Sequence, residues 1–152
     1  MTQEYTHRFT EVHEPGGTLY PVSRGAGVFN TGWLDMANHQ RIIFLLAIGA
    51  MGQGGTVDFY VEQALDAAGA TSTQLFRQAI FIAITQLTQA GGDGNDLIAV
   101  EVRTEQMDSD WRYLRGVLTV GVSATLCSVI PLRGASAYPP VPVVGWTEIV
   151  VE

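Results

Sequence analysis

The sequence predicts an all-β fold, either an antiparallel β-sandwich or a barrel of the jelly-roll type. About seven short segments, six of them between residues 41 and 132, are continuously apolar or alternate between apolar and polar residues. Glycine-rich turns separate these segments, a spacing typical of antiparallel all-β domains. A chain of 152 residues can also bury its own core without a metal ion or a disulfide.

Residues 41–63 contain the first two predicted core strands. Residues 41–49 are almost continuously apolar, so we expect both faces of this strand to be covered. Residues 56–63 alternate, with Val57, Phe59 and Val61 on one face, which predicts a half-buried strand.

Residues 64–89 fit two interpretations. Residues 67–70 indicate a turn, residues 73–79 are compatible with a single helical turn, and the β-branched and aromatic residues of 80–87 favour a strand. A helix over residues 72–89 is the alternative. The turn-forming cluster at residues 91–96 follows.

The most regular alternation predicts an antiparallel hairpin between residues 97–105 and 111–119. The residues expected to face the core are Ile98, Val100, Val102, Leu114, Gly116 and Leu118. A turn at residues 106–110 sets Glu101 opposite Arg115. A register shifted by two residues sets Arg103 opposite Arg115, which costs a few tenths of a kcal/mol or more because like charges repel. Residues 126–132 are predicted to form a further strand.

Both ends of the chain are predicted to be extended arms outside a sandwich domain of residues 33–133. Residues 1–32 contain loop signals at 14–17 and 24–27 without periodicity between them. Residues 134–152 contain a proline-rich segment that favours polyproline geometry and then an alternating apolar segment, which needs a partner strand. We expect both arms to be more ordered in an assembly than in the free subunit.

The composition indicates a subunit covered by other subunits. Charged residues make up only 15% of the chain, against roughly 25% in soluble domains, and sparse charge is typical of interface cores. A small monomer with an apolar surface is the alternative. All eight basic residues are arginine, which suits buried interfaces, although codon usage in a GC-rich genome gives the same result. The net charge of −7 argues against direct nucleic-acid binding.

The sequence predicts no catalytic, cofactor-binding or metal site. His7, His13 and His39 form no paired metal-ligand motif. Cys127 lies in an apolar segment and is expected to be a buried structural thiol. The first ten residues are polar, so we expect no signal peptide, and the longest apolar run, residues 42–51, is too short to span a membrane.

The remaining chemistry-bearing residues have structural interpretations. Asp93, Asn95 and Asp96 lack the spacing of a calcium loop, and Asp108 and Asp110 lie on one predicted loop, so both groups are expected to form turns. The three tryptophans, Trp33, Trp111 and Trp146, are expected to be core or interface anchors. A sugar-stacking platform is the alternative.

Several segments resemble a group of small virion proteins of tailed bacteriophages. The matching segments are residues 31–38, 54–58, 64–69, 83–88, 102–108 and 112–120, together with the end segments 138–142 and 146–150. These are family patterns rather than catalytic motifs. Residues 74–81 depart from the pattern because they are more apolar than it predicts.

The resemblance implies a non-enzymatic capsid decoration or cement protein. Such a protein binds the major capsid protein on the exterior of the phage head, after assembly in the host cytoplasm, and has no membrane partner. The resemblance also implies a homo-oligomer, with a trimer expected before a dimer. A head–tail adaptor or tail component is the alternative within the structural class. A carbohydrate-binding module, supported only by the tryptophans, is the competing hypothesis from another class.

Overall fold

The computed structural model of the protein describes residues 9–77 and 80–136, whose regular secondary structure is nearly all β-strand. They include one short α-helix, α1 (Phe9–Val12), and one 3-10 helix (Thr104–Gln106). The strands are β1 (Glu14–Pro15), β2 (Leu19–Arg24), β3 (Gly27–Asn30), β4 (Leu34–Asp35), β5 (His39–Met51), β6 (Thr56–Ala64), β7 (Ser72–Gln74), β8 (Phe76–Arg77), β9 (Ile80–Phe81), β10 (Leu87–Thr88), β11 (Leu97–Arg103), β12 (Tyr113–Gly121) and β13 (Thr125–Ser136).

Two antiparallel sheets pack face to face and form a β-sandwich, as predicted. Sheet A has the order β1–β13–β5–β11, and β2 also pairs with β13. Sheet B has the order β10–β6–β12–β3, with β4 also on β12 and β7 also on β6. Among the described strands, β8 and β9 pair only with each other. In the part of the chain that the structure describes, no helix combines the length and apolarity needed to cross a membrane.

The core lies between the two sheets and is built by alternation. Strand β5 contributes Phe44 and its buried neighbours two residues away on either side, and β6 contributes Phe59 in the same way. The two phenyl rings meet at the centre, with centroids 5.6 Å apart and a tilted arrangement. Leu114 and Leu118 of β12 complete the centre of the core.

The predicted hairpin is wrong. Strand β11 pairs with β5 in sheet A, and β12 pairs with β6 in sheet B. Glu101 lies opposite Ile43, and Arg115 lies opposite Glu62. The connection between the two strands contains the 3-10 helix and carries the chain from one sheet to the other. Apolar alternation shows which face of a strand is buried but not whether two strands share a sheet. The same pattern therefore fits two strands that lie in opposite sheets and face each other across the core.

Strand β5 also differs from its prediction. We expected both of its faces to be covered, but the burial alternates: Ile42, Phe44, Leu46 and Ile48 are buried, whereas Ala47 is exposed. Among the described residues, a second sheet packs only on the face toward sheet B; on the other face, His13 lies against the end formed by Arg41 and Gly134. The continuous apolar run therefore reflects a core face and a second, largely uncovered face.

The ambiguous segment forms short strands rather than a helix in its described part. Strands β7 and β10 pair with β6, and β8 pairs with β9. The strands β9 and β10 agree with the strand predicted over 80–87, whereas β7 and β8 lie where a helical turn was expected over 73–79. Residues 78–79 lie outside the described residues.

Residues 14–30, which we assigned to an N-terminal arm, form β1, β2 and β3 and belong to the two sheets. Strand β13 includes the predicted strand 126–132 and continues to Ser136. The rest of the predicted C-terminal arm, residues 137–152, lies outside the described residues, as do residues 1–8. The expected ordering of the arms on assembly stays a prediction.

Candidate interaction surface

The outer face of sheet A is mostly apolar across three neighbouring strands, with Ser128 of β13 as a buried polar residue opposite Ala47. Because the buried side chains of β5 point inward, Ile43, Leu45 and Ala47 point outward. The pairing places Ile130 of β13 and Ala99 of β11 on either side of Leu45. We define the apolar face of sheet A as Ile43, Leu45, Ala47, Leu97, Ala99, Leu126, Ile130 and Leu132.

Several side chains of this face are strongly exposed. Leu97 is 75% exposed, Leu126 44% and Ile130 38%. Three strands by seven residues cover roughly 10–15 Å by 20 Å, an area of roughly 300 Å². An exposed apolar patch of this size is comparable to the largest patch on a typical monomer, which is often functional.

A polar rim closes one end of the apolar face. Arg41 of β5 and Glu101 of β11 form an ion pair at 3.8 Å, and both side chains are nearly half exposed. Arg103 and Glu105 form a second exposed pair at 3.6 Å just beyond them. An apolar centre with a charged rim is the usual anatomy of a protein–protein contact.

The outer face of sheet B is polar by contrast. Arg115 donates to Glu62 at 2.7 Å between neighbouring strands β12 and β6. The Gln86 side chain donates to Asp58 at 2.7 Å on the same face. These paired groups suit a hydrated surface, so the two outer faces of the sandwich differ in character.

A mostly buried ionic cluster fastens strand β1 to the sandwich. Arg133 of β13 forms an ion pair with Glu14 of β1 at 2.7 Å and donates to the Asp35 backbone carbonyl at 2.9 Å. The Nε2 atom of His39 lies 3.5 Å from Glu14. We call Glu14, His39 and Arg133 the β1 clasp. The Glu14 carboxylate lies within ion-pair distance of both His39 and Arg133 and ties β1 to β5 and β13, so the role of the cluster is structural.

Burial lowers the pKa of His39, and the Arg133 charge lowers it further, while Glu14 and Asp35 act in the opposite direction. The ring is therefore neutral at pH 7. Neither ring nitrogen makes a hydrogen bond of good geometry within the described residues. In that part of the chain, no group of three or more His, Cys, Asp or Glu residues is placed to hold a metal ion.

Two of the aspartates that were predicted to form turns have defined hydrogen-bond partners. Asp93 accepts a hydrogen bond from the Thr88 N–H at 2.7 Å, which agrees with the turn interpretation. Asp108 accepts from the Gln63 side chain at 2.6 Å, and Gln63 in turn accepts from the Asp108 N–H at 3.0 Å. These two bonds join the Asp108 loop to strand β6 and are not turn contacts. Cys127 is buried, as expected, and burial raises its pKa.

The two described tryptophans have structural surroundings. The Arg115 guanidinium lies 4.4 Å from the Trp33 ring centroid, and Gly69 packs so closely on the indole that a Cβ there would lie 2.2 Å from Nε1. Trp111 packs against the core. Both arrangements suit the anchor interpretation. Trp146 lies outside the described residues.

No protein-family model matches the chain, and no curated protein is significantly similar to it.

Proposed function

We propose that this chain is a virion structural protein that decorates or cements the capsid of a tailed bacteriophage, without enzymatic activity. It binds the major capsid protein on the exterior of the shell. The observation that carries the proposal is the uncovered apolar face of sheet A. The segments that resemble small phage virion proteins supply the class of partner.

The apolar face suits a flat, extended contact with a shell. A capsid subunit that covers it gains about 25 cal/mol for each Å² of apolar surface removed from water. Roughly 300 Å² on this side then contributes several kcal/mol before the costs of association are subtracted. The polar rim at Arg41 and Glu101 gives the contact direction and register without adding much affinity.

Substitution on the apolar face tests the proposal directly. Shells assembled without this chain are mixed with purified wild-type protein or with the Ile130→Glu variant, and binding is measured by co-sedimentation. We expect Ile130→Glu to bind at least about thirtyfold more weakly, since burying an unpaired charge costs about 2 kcal/mol or more. The matched control is Val28→Glu, an exposed apolar position (62%) on the outer face of sheet B.

Two outcomes contradict the proposal. One is wild-type protein that does not bind the shells, and the other is equal binding by both glutamate variants. Binding to isolated tails or connectors instead of shells supports the alternative of a head–tail adaptor or tail component. Retention on a glycan array supports the carbohydrate-binding module, a hypothesis for which Trp33 and Trp111 give no support.

A further inference from the structure

Strand β11 is an open edge of sheet A. It pairs with β5 along its whole length, from Leu97 opposite Ala47 to Arg103 opposite Arg41, without a bulge. On its other side no strand of the described residues pairs with it. A regular edge of this kind is a template for another strand.

The ladder with β5 decides which backbone groups face the open edge. The Ile48 N–H donates to the Asp96 carbonyl at 2.8 Å. In an antiparallel ladder the hydrogen-bonded pairs alternate, so Ile98, Val100 and Val102 direct their N–H and C=O groups toward β5. Leu97, Ala99, Glu101 and Arg103 direct theirs outward. A hydrogen bond of Arg103 supports this assignment: its backbone N–H points away from β5 and donates to Gln106 Oε1 at 2.8 Å.

The edge has little protection against strand pairing. Natural edges are guarded by proline, charged side chains (lysine above all), bulges or short length. Strand β11 has no proline, lysine or bulge; its two charges, Glu101 and Arg103, lie toward one end, and Leu97 at the other end is 75% exposed. The outward N–H and C=O groups of Ala99 and Glu101 therefore lie in the middle of an accessible, largely apolar strand.

We propose that β11 pairs antiparallel with β11 of a second copy of this chain, around a two-fold axis at Val100. Ala99 then lies opposite Glu101 of the second copy, and Leu97 lies opposite Arg103. Residues with outward backbone groups meet each other, as hydrogen bonding across an antiparallel pair requires. The inner-face residues Ile98 and Val102 also meet and extend the core across the junction.

This register is the best one available to the strand. It places no like charges directly opposite each other and pairs every residue of β11, although at each end the Arg103 N–H is already bonded to Gln106 Oε1. A shift by two residues in one direction sets Glu101 opposite Glu101 of the second copy, which is unfavourable. The same shift in the other direction shortens the ladder and leaves Arg103 outside it.

The pairing is independent of the proposed capsid function. It joins the A sheets of two copies into one continuous sheet, and their apolar faces become a single, larger surface. An isologous contact of this kind closes after two copies and does not propagate into a fibre.

The Ala99→Pro variant of the full-length chain tests the proposal. Proline removes the outward Ala99 N–H but none of the hydrogen bonds to β5. We expect the wild type to be a dimer by sedimentation equilibrium. In the proline variant we expect a dissociation constant about tenfold or more higher, because two symmetry-related hydrogen bonds are lost. The matched control is Ala99→Thr, which keeps the N–H and favours a strand, and circular dichroism confirms that each variant is folded.

A cysteine cross-link provides a second measurement that does not depend on tolerance of proline. The two Val100 residues form a non-hydrogen-bonded pair with Cα atoms about 4.5 Å apart, which is within disulfide range. We expect Val100→Cys to form a disulfide-linked dimer on mild oxidation. The control Ile98→Cys lies on the same face but about 13 Å from its counterpart, so it should not cross-link.

Three results would overturn the pairing. The first is a wild type that stays monomeric at all concentrations. Hydrogen exchange at the Ala99 amide then shows whether another part of the same chain covers the edge or the edge is open, and either result contradicts the pairing. The second is an oligomer that Ala99→Pro leaves unchanged. The third is Val100→Cys that cross-links no more than Ile98→Cys.

Discussion

Gly116 provides the sharpest test of the sandwich core. It lies on the inner face of β12, opposite Val61 of β6. A Cβ at this position would lie 2.5 Å from Cζ of Phe59 and 3.3 Å from Cδ1 of Phe44, both buried rings. Gly116→Ala therefore forces the phenyl rings to move. We expect it to lower the free energy of unfolding by about 1–3 kcal/mol, the usual cost of overpacking.

Urea denaturation measures this effect, and the melting temperature should fall by about 2–4 °C for each kcal/mol in a domain of this size. The matched control is Gly25→Ala, where a Cβ meets no atom within 4 Å, so we expect little change. Phe59→Leu should rescue part of the loss in the double variant, because it removes the ring that the new methyl group contacts. Equal stabilities for Gly116→Ala and the wild type, or strictly additive losses in the double variant, would refute this packing.

Three further predictions concern buried polar groups. Glu14→Gln should lower the free energy of unfolding by about 1–3 kcal/mol, because Arg133 loses its charged partner in a mostly buried site; Glu105→Gln, in an exposed pair, should cost less than about 0.5 kcal/mol. The lowered pKa of His39 means that the unfolded chain binds its proton more tightly than the folded one. The neutral His39 ring therefore stabilises the fold fully above pH about 6.5, and this stabilisation is lost as the pH falls through the folded-state pKa. Between pH 8 and pH 5, the free energy of unfolding should fall less in His39→Gln than in the wild type, as measured by denaturation. Cys127 should react with a thiol reagent only after denaturant is added, since it is buried and burial raises its pKa; rapid reaction in the native protein would contradict its placement.

The sequence predicted which residues face the core, because period-two alternation follows directly from strand geometry. Val102, Leu114 and Leu118 are buried as expected. Strand partners were not predictable in the same way. The apolar pattern of residues 97–119 fits two strands in one sheet as well as two strands in opposite sheets. In the structure the connection between β11 and β12 crosses from sheet A to sheet B, so the two strands lie in opposite sheets.

Two features of the surface needed the three-dimensional structure. The apolar run of β5 is equally compatible with burial on both faces, and only the layer order shows that one face stays uncovered among the described residues. The β1 clasp joins Glu14, His39 and Arg133, which are far apart in sequence and have no motif spacing. A short strand such as β1 carries too little pattern to be recognised without the partner that holds it.

The most direct test of the proposed function is a cryo-electron microscopy reconstruction of phage particles that contain this chain. We expect its density on the exterior of the head shell, with the apolar face of sheet A, including Leu45 and Ile130, turned toward the major capsid protein. Density confined to the tail or connector, or a subunit bound to the shell with its apolar face open to solvent, would contradict the account.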